Sequence, residues 1–434
     1  MTALEQINTP ERFRVSTSDI GRGIIAVIAI LACLTVAWTS ARIALSRLLA
    51  KYATIVKSVP AAQQAIVLTP ADPEAHRALA SALRHEDQLQ AAAKENEIAV
   101  SLRPRDDLLW LDLGTIKDEL DDSQGALLAF NESVRAAPFY GHPRWQRGNL
   151  LFRLGRYDEA FADLRQAANS NRALQPNLVD LAWAASKGDS KLTESILQID
   201  NDPMRLSYAR FLARKGRGVE AMEQLRLAGP VSDELRNEMV LQLIGQKSFR
   251  EAFLIWRNEA AGNTGKQFAA EVFDGGFEGT LSLDEKAFGW RPAKSGELLT
   301  LSVDTTQKQS GDKSLLIQFN GNSDPTMPLV SQLVLVEPSQ RYRLNFSTRT
   351  ADLVTGGLPV VAITDGKTGQ LLGKSTAVRQ GTNEWQAQSI EFATGPDSSA
   401  VFVTLRRESC SPSPCPVFGR IWLDGFSIES QSTK

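Results

Sequence analysis

Hydrophobic and polar positions follow three different patterns along the 434-residue chain. Residues 23–41 carry no charge and are mostly apolar. In residues 42–261 apolar positions recur with a helical period, and Gly-containing turns separate the runs, which predicts paired helices. After residue 267 the period changes to alternation, which predicts β-strands. A chain of this length is expected to hold more than one domain.

The apolar stretch predicts a transmembrane helix. It reads GIIAVIAILACLTVAWTSA over residues 23–41, and about 20 such residues span the hydrocarbon core of a bilayer. Arginines flank it, and Trp38 suits the membrane interface. A cleaved signal peptide is the alternative, because residues 39–41 are small, but the run is long for a signal sequence. We expect an uncleaved anchor that follows a short cytoplasmic segment, residues 1–22.

A regular period marks the helical part. Pro70, Pro104 and Pro138 stand at equal intervals, and the interval equals the tetratricopeptide-repeat period of about 34 residues. The unit that ends at Pro138 resembles the signature of that family, W-x2-L-G-x2-Y, then A-x3-F, then P. It departs from the signature at Lys117, where the family prefers an aromatic residue. The matching positions are Trp110, Leu113, Gly114, Ala126, Phe130 and Pro138.

Neighbouring units match the signature less closely. In the unit that ends at Pro104, Asn96 stands where a bulky residue is expected. The unit that follows Pro138 ends at Arg172 in place of proline. Two degenerate units cover residues 208–228 and 237–260, and the juxtamembrane residues 42–57 are predicted to form the opening helix. The resemblance implies an α-solenoid over residues 42–261 whose groove binds protein partners. A plain spacer that holds the C-terminal domain away from the membrane is the alternative.

The C-terminal part predicts an all-β fold. Short alternating runs such as SLLIQFNG and AVFVTLRRE are separated by Gly, Pro, Asp and Ser turns, as in sandwiches and jelly rolls. We expect a linker over residues 262–271, a sandwich over 272–430 and a short tail, 431–434. The predicted fold class is thus multidomain α + β: an N-terminal transmembrane helix, a TPR α-solenoid and a C-terminal jelly-roll sandwich.

Motif order in this part resembles carbohydrate-binding modules of the galactose-binding-like jelly-roll type. FDGGFEG and FGW open the segment, SGDKSLLIQF and a Gln-containing strand follow, and WLDGFSIE closes it. Such modules commonly open with N-G-x-F-E and close with I-D-D-V. Here Asp274 and Gly275 replace the usual Asn-Gly, and Gly425 replaces the second Asp.

This resemblance implies two kinds of site. The opening Glu and the closing Asp of such modules converge on a structural Ca²⁺, and the matching positions are Glu278 and Asp424; hard oxygen ligands suit that ion. The alternative is that the two carboxylates accept hydrogen bonds from the backbone. Sugar binding requires exposed rings, for which Trp385, Tyr342 and Trp290 are the candidates. The alternative for Trp290 and Tyr342 is core packing.

Composition and motifs exclude several function classes. A formal net charge of −2 argues against a nucleic-acid-binding protein. The three His residues all precede the β-segment and none pairs at i, i+4, so an H-E-x-x-H zinc site is excluded. The sequence contains no G-x-S-x-G motif, no P-loop and no recognisable pair of catalytic carboxylates. We expect no enzymatic activity.

Cys410 and Cys415 flank Ser-Pro-Ser-Pro and are predicted to form a disulfide, which fits an oxidising compartment; two free thiols are the alternative. Basic residues flank both ends of the apolar segment, so the positive-inside rule gives no orientation. Because the Cys410/Cys415 pair and the sandwich that carries it fit an oxidising compartment, we expect a single-pass protein of a bacterial-type inner membrane with its C-terminal domains in the periplasm. The leading hypothesis is a scaffold that holds a protein partner and engages glycan or protein, serving polysaccharide synthesis or export; the alternative is a tethering protein without sugar contact.

Overall fold

A computed structural model describes residues 19–257, 270–285, 287–321, 327–410 and 415–431. The chain divides between Leu178 and Val179 into two compact units. The first unit is helical, whereas the second contains helices and all of the described strands. Most of the expected segment 1–22, of the linker 262–271 and of the tail 431–434 lies outside the described residues.

Fourteen α-helices form within the described residues. They are α1 (Asp19–Val56), α2 (Val59–Leu68), α3 (Pro73–His85), α4 (Leu89–Leu102), α5 (Asp107–Glu119), α6 (Ser123–Ala136), α7 (Gly141–Arg153), α8 (Tyr157–Ser170), α9 (Gln175–Ala185), α10 (Ser190–Leu197), α11 (Asp202–Arg214), α12 (Gly218–Ala228), α13 (Asp233–Gly245) and α14 (Phe249–Trp256).

The helices of the first unit repeat at the predicted interval. The first helices α3, α5 and α7 begin at a constant spacing, which is the tetratricopeptide period, and so do the second helices α4, α6 and α8. Asp72 and Asp106 cap α3 and α5 by accepting hydrogen bonds from backbone N–H groups of the first turn. Pro104 and Pro138 each follow the end of a second helix by two residues, where a residue without N–H cannot continue it. The sequence period is therefore a period of helix pairs.

Close contact between α5 and α6 explains the signature residues. Gly114, Ala126 and Phe130 are buried, and a Cβ placed on Gly114 would lie 2.5 Å from Cδ1 of Phe130. Any larger residue at position 114 would push the ring away. Trp110 is half-buried, and its Nε1 donates to the carbonyl of Pro104 at 2.9 Å. In the preceding pair the buried Asn96 replaces the ring and donates to the carbonyl of Leu109.

Helix α1 belongs to both the apolar segment and the helix pairs. It runs without interruption over Asp19–Val56, and among the described residues it is the one helix long and apolar enough to cross a bilayer. Its last turns pack on α2 through the buried Ala50 and Ala53. Ser46 donates to the carbonyl of Ala65 at 2.8 Å. Residues 42–56 thus pair with α2 in the structure.

Two antiparallel sheets form the C-terminal part. One has the order β1-β4-β9-β6-β7 and the other β2-β3-β10-β5-β8, and residues from both contribute to one hydrophobic core. The strands are β1 (Arg291–Pro292), β2 (Leu299–Asp304), β3 (Ser314–Gly321), β4 (Val330–Leu335), β5 (Arg341–Thr355), β6 (Pro359–Asp365), β7 (Leu371–Lys374), β8 (Gly381–Ala393), β9 (Ala400–Arg407) and β10 (Val417–Gln431).

The last helix of the second unit packs on loops beside these strands. Trp256 meets Phe273 edge to face with centroids 5.1 Å apart, and Arg250 pairs with Glu337 at 2.6 Å. The sequence predicted one helical array over residues 42–261 that a linker separates from the sandwich. In the structure, the helices after Leu178 and the strands belong to one compact unit. Contacts such as that between Arg250 and Glu337 join residues that are far apart in sequence and leave no periodic signal.

Candidate functional site

Charged side chains connect the first helices of successive pairs. Arg77 of α3 donates to Asp112 of α5 at 2.7 Å, and Arg84 donates to Glu119 at the same distance. Between the next two first helices, Arg153 of α7 donates to Asp118 of α5 at 2.6 Å. Each of these pairs has a sequence separation of 35, so each joins neighbouring repeats. We call the surface formed by α1, α3, α5 and α7 the first-helix face.

Paired carboxylates hold the cations of this face in their charged form. The hydrogen bonds to Glu119 raise the pKa of the Arg84 guanidinium above its ordinary value, against the opposing effect of burial. By contrast, neither Lys51 nor Lys57 has a carboxylate partner among the ion pairs of the described residues; Lys57 Nζ donates to the hydroxyl of Ser81 at 3.3 Å. The face therefore keeps positive charge that is available to a ligand.

Two surface cavities open on the first-helix face near α1. A cavity of about 540 Å³ lies where α1, α3 and α5 meet, and one of about 670 Å³ lies between α1 and α3. The smaller is lined by Lys57, Ser81, Arg84, His85, Asp87, Leu89 and Glu119. The larger is lined by Arg47, Ala50, Lys51, Thr54, Ile55, Glu74, Arg77 and Arg103. Both offer hydroxyl, ammonium and guanidinium groups, which suit backbone carbonyls and acidic side chains.

None of these lining residues was among the sequence candidates. The signal that could have found the face is the spacing of opposite charges: an Arg and an acid stand at a separation of 35 at positions 77/112 and 84/119, and again at 118/153 in the reverse order. One repeat plus one residue is the offset that brings successive first helices into contact. A search for opposite charges separated by the repeat length alone would not find these pairs.

The opening and closing motifs of the β-segment meet at one corner. The backbone N–H of Phe426 donates to the carbonyl of Gly275 at 2.9 Å. Asp274 has a left-handed φ of 50°, which Asp tolerates, and its carboxylate accepts from the N–H of Glu278 at 2.8 Å. A Cβ on Gly275 would overlap the carbonyl oxygen of Phe426, so only glycine fits there.

Glu278 and Asp424 both reach this corner. Oε1 of Glu278 and Oδ1 of Asp424 each lie 3.7 Å from the position that a Cβ on Gly276 would take. Asp424 is fully buried, and its Oδ2 accepts from the N–H groups of Gln309 at 2.7 Å and Ser310 at 2.8 Å. The two carboxylates thus hold the loop between β2 and β3 against the opening and closing motifs.

The donor set fits this anchoring role better than a calcium ion. Glu278 Oε1 also accepts from the N–H groups of Asp312 at 2.8 Å and Lys313 at 3.3 Å. The Ser310 hydroxyl donates to Oδ1 of Asp424 at 3.3 Å, so donors already point at one oxygen of Glu278 and at both oxygens of Asp424. Ca²⁺ takes six to eight oxygen ligands, and the described residues contain no group of three or more His, Cys, Asp or Glu that could hold a metal. Backbone carbonyls and water would have to supply most of the shell.

Two of the three aromatic candidates for glycan binding lie in the core, so their interpretation as sugar contacts is corrected. Trp290 is 5% exposed, stacks on Phe277 at 5.0 Å and donates its Nε1 to the carbonyl of Asp274. Tyr342 is 2% exposed, and its hydroxyl accepts from the N–H of Glu337 at 2.9 Å; burial raises its pKa. Neither ring can present a face to a sugar.

Trp385 alone of the three is half-exposed. It lies on the edge strand β8, at a register shift where Glu384 and Trp385 stand opposite the single residue Arg349. Arg349 and Glu384 form an ion pair there. Such a bulge changes the direction of the side chain at the edge of a sheet. A ring beside an ion pair can stack on a sugar face while the charged groups bind hydroxyls.

Cys410 and Cys415 are joined as a disulfide, with Cα atoms 5.9 Å apart; the residues between them lie outside the described part of the chain. The sequence did not single out the buried Arg407, which contacts the backbone of Cys415. Its Nη2 donates to the carbonyl of Cys415 at 2.7 Å and to the hydroxyl of Thr355 at 3.1 Å. An Arg within an apolar strand, a few residues before the Cys pair, was the available signal.

Comparison with known proteins shows partial likenesses. No protein-family model matches the chain. It is 32% identical over 101 residues to protein FlbA of Caulobacter vibrioides, a match that covers 23% of this chain and 17% of FlbA. The chain therefore spans less than a fifth of that relative's length.

Several solved structures align with this chain. MamA matches with a TM-score of 0.33 and 13% identity over 41% of this chain and 94% of its own. PilF of Pseudomonas aeruginosa matches with 0.30 and 15% over 51% and 87%. YrrB, described as a TPR protein with an unusual peptide-binding site, matches with 0.26 and 16% over 48% and 94%. These TM-scores are too low to carry an argument. The repeat is therefore inferred from the helix spacing described above.

Replacing Asp424 tests whether hydrogen bonds or a metal hold the corner. We expect Asp424→Ala to lower the free energy of unfolding of the second unit by about 3 kcal/mol, because it leaves buried N–H groups without an acceptor. The control Asp312→Ala, whose side chain is 91% exposed, is expected to have little effect. Thermal unfolding monitored with and without EDTA checks the alternative: a melting temperature that EDTA lowers and Ca²⁺ restores would establish a bound ion.

Proposed function

We propose that this protein is a membrane-anchored scaffold whose first-helix face binds a protein partner. The single observation that carries the proposal is the presence of two cavities on that face, one lined by Lys57 and the other by Lys51. Their charge lacks a carboxylate partner among the described residues, so an extended segment with acidic side chains would supply what the face lacks. A tetratricopeptide-type solenoid, which the regular helix pairs support, is the architecture for such binding.

Helix α1 supplies the anchor in this proposal. Residues 23–41 span about 28 Å as a helix, which matches a hydrocarbon core of about 30 Å. Arg42 follows at the end of this stretch, where a charged group reaches the headgroups. Because α1 continues into the opening helix pair, the binding face begins close to the bilayer. The sequence contains no recognisable catalytic motif, and we propose a binding role only.

The disulfide supports a location of the C-terminal part outside the cytoplasm, because such bonds persist in oxidising compartments. Thiol labelling of intact spheroplasts in a Cys33→Ser background tests it. We expect an impermeant maleimide to label the chain only after an impermeant reductant has opened the Cys410–Cys415 bond. Labelling that requires permeabilised membranes would place these cysteines on the cytoplasmic side.

Photo-cross-linking from the smaller cavity tests the binding face. A photo-reactive residue at position 81, in full-length protein in its own membranes, is expected to cross-link the partner, whereas the same residue at position 101 is not. Ser81 lines the cavity, and Ser101 is exposed on the second helix α4.

A binding measurement with the purified partner follows, once cross-linking has identified that partner. Ser81→Arg, which fills the smaller cavity, should weaken binding of the partner at least about tenfold, equivalent to about 1.4 kcal/mol, and Ser101→Arg should leave it unchanged. Equal effects of the two variants would refute the assignment.

A second candidate function, glycan binding by the β-segment, is favoured by the exposure of Trp385 at the bulge of β8. The resemblance to carbohydrate-binding jelly rolls supports this function. In that case the protein would serve polysaccharide synthesis or export. We expect detergent-solubilised full-length protein to be retained by a polysaccharide matrix, and Trp385→Ala to lose about 0.5–1.5 kcal/mol of that binding. The control is Phe139→Ala, an aromatic residue 90% exposed in the first unit. A folded protein that no polysaccharide retains would favour a tethering role without sugar contact.

A further inference from the structure

An exposed apolar stripe continues along α1 beyond the segment assigned to the membrane. Leu45, Leu48, Tyr52 and Ile55 are 51%, 68%, 53% and 70% exposed. Their spacing alternates between three and four positions, so they lie on one side of the helix with the mean period of a heptad repeat. The stripe extends back through the apolar segment with the same alternation, at Ile24, Val27, Leu31, Leu34, Trp38 and Ala41.

The opposite side of the same turns is already occupied. Ser46, Ala50 and Ala53 are buried against the opening helix pair. In a heptad repeat with Leu45 and Leu48 as its core positions, those three residues fall on the outer positions. One side of α1 therefore builds the array, and the other carries a seam with no partner within the described residues.

Lipid cannot cover this seam. At about 1.5 Å per residue, Ile55 lies about 21 Å beyond Ala41 along the axis, whereas the headgroup layer adds only about 5–8 Å on each side of the hydrocarbon core. The heptad period is also the period of helices that pack on one another in a left-handed supercoil, not of a helix that lies on a flat surface.

We propose that the seam binds a second copy of this chain, so that two α1 helices pair in parallel from the membrane to Ile55. Two copies that enter one bilayer in the same direction place identical residues at the same height, and a self-complementary stripe then meets itself in register. The stripe continues without a break across the membrane boundary. A partner that lies only inside or only outside the bilayer would not require this continuity.

Charge on the flanks allows this pairing. Lys51 occupies a flanking position, and across a parallel dimer it faces Val56 of the other copy rather than a second lysine. The aliphatic stem of Lys51 can lie on that side chain while its ammonium group remains in water. Arg47 and Thr54 point away from the seam, toward the larger cavity. Dimerisation therefore covers the Ile55 edge of the larger cavity and leaves the smaller cavity, which is lined by Lys57 and Ser81, open.

Disulfide trapping in native membranes tests the dimer. In full-length Cys33→Ser protein, oxidation of Leu48→Cys and Ile55→Cys variants is expected to give at least about fivefold more cross-linked dimer than Arg47→Cys and Thr54→Cys, because core positions face each other across the seam. Equal yields at the four positions, no product at any of them, or a product with the mass of another protein would each overturn the proposal.

A second measurement keeps folding and dimerisation apart. Leu48→Glu combined with Tyr52→Glu changes residues that are exposed in the single chain, so helix content should stay the same by circular dichroism. In detergent, the mass from light scattering should fall from two chains to one; a mass of two chains would contradict the seam. Partner cross-linking from position 81 reports the binding face independently, so loss of the dimer and loss of the proposed function are distinguishable.

Discussion

Close approach of paired helices sets the geometry of the first unit. At Gly114 the absence of a side chain lets the ring of Phe130 lie against the helix backbone, and alanines play the same part between α1 and α2. Because the helix pairs recur at a constant interval, successive first helices come into side-by-side contact. The Arg–acid pairs that join neighbouring repeats and the cavities on the first-helix face follow from that arrangement.

The second unit depends on polar contacts as much as on its apolar core. Glu278 and the buried Asp424 bind backbone N–H groups of one loop, which connects the two ends of the β-segment. Arg407 does the same beside the disulfide by donating to carbonyl and hydroxyl oxygens. Buried polar groups that are fully hydrogen-bonded hold loops in one conformation, whereas the apolar core between the sheets would accept several.

Helix α1 gives the proposed function its physical coherence. A single uninterrupted helix is long and apolar enough to cross a bilayer, buries small residues against α2 and exposes a regular seam on its remaining side. In the proposed function, this helix would fix the distance between the bilayer and the first-helix face. If the anchored scaffold is a dimer, it presents two such faces at a fixed distance from the bilayer, which raises the effective concentration for a partner with two binding segments.

The sequence by itself determined the elements whose signal is local. The apolar run, the regular proline period and runs such as SLLIQFNG, which is β3, depend on residues within one element or one repeat, and the structure has a long apolar helix, regular helix pairs and a strand at these places. The short strands β1 and β7 gave no alternating signal and were missed. Only the tertiary structure decided that Trp290 and Tyr342 face the core, that α14 packs on loops beside the strands and that Arg84 reaches Glu119. Periodicity shows that a strand or helix has an apolar side, but the partner that covers this side comes from distant sequence, so burial is a property of the assembled fold.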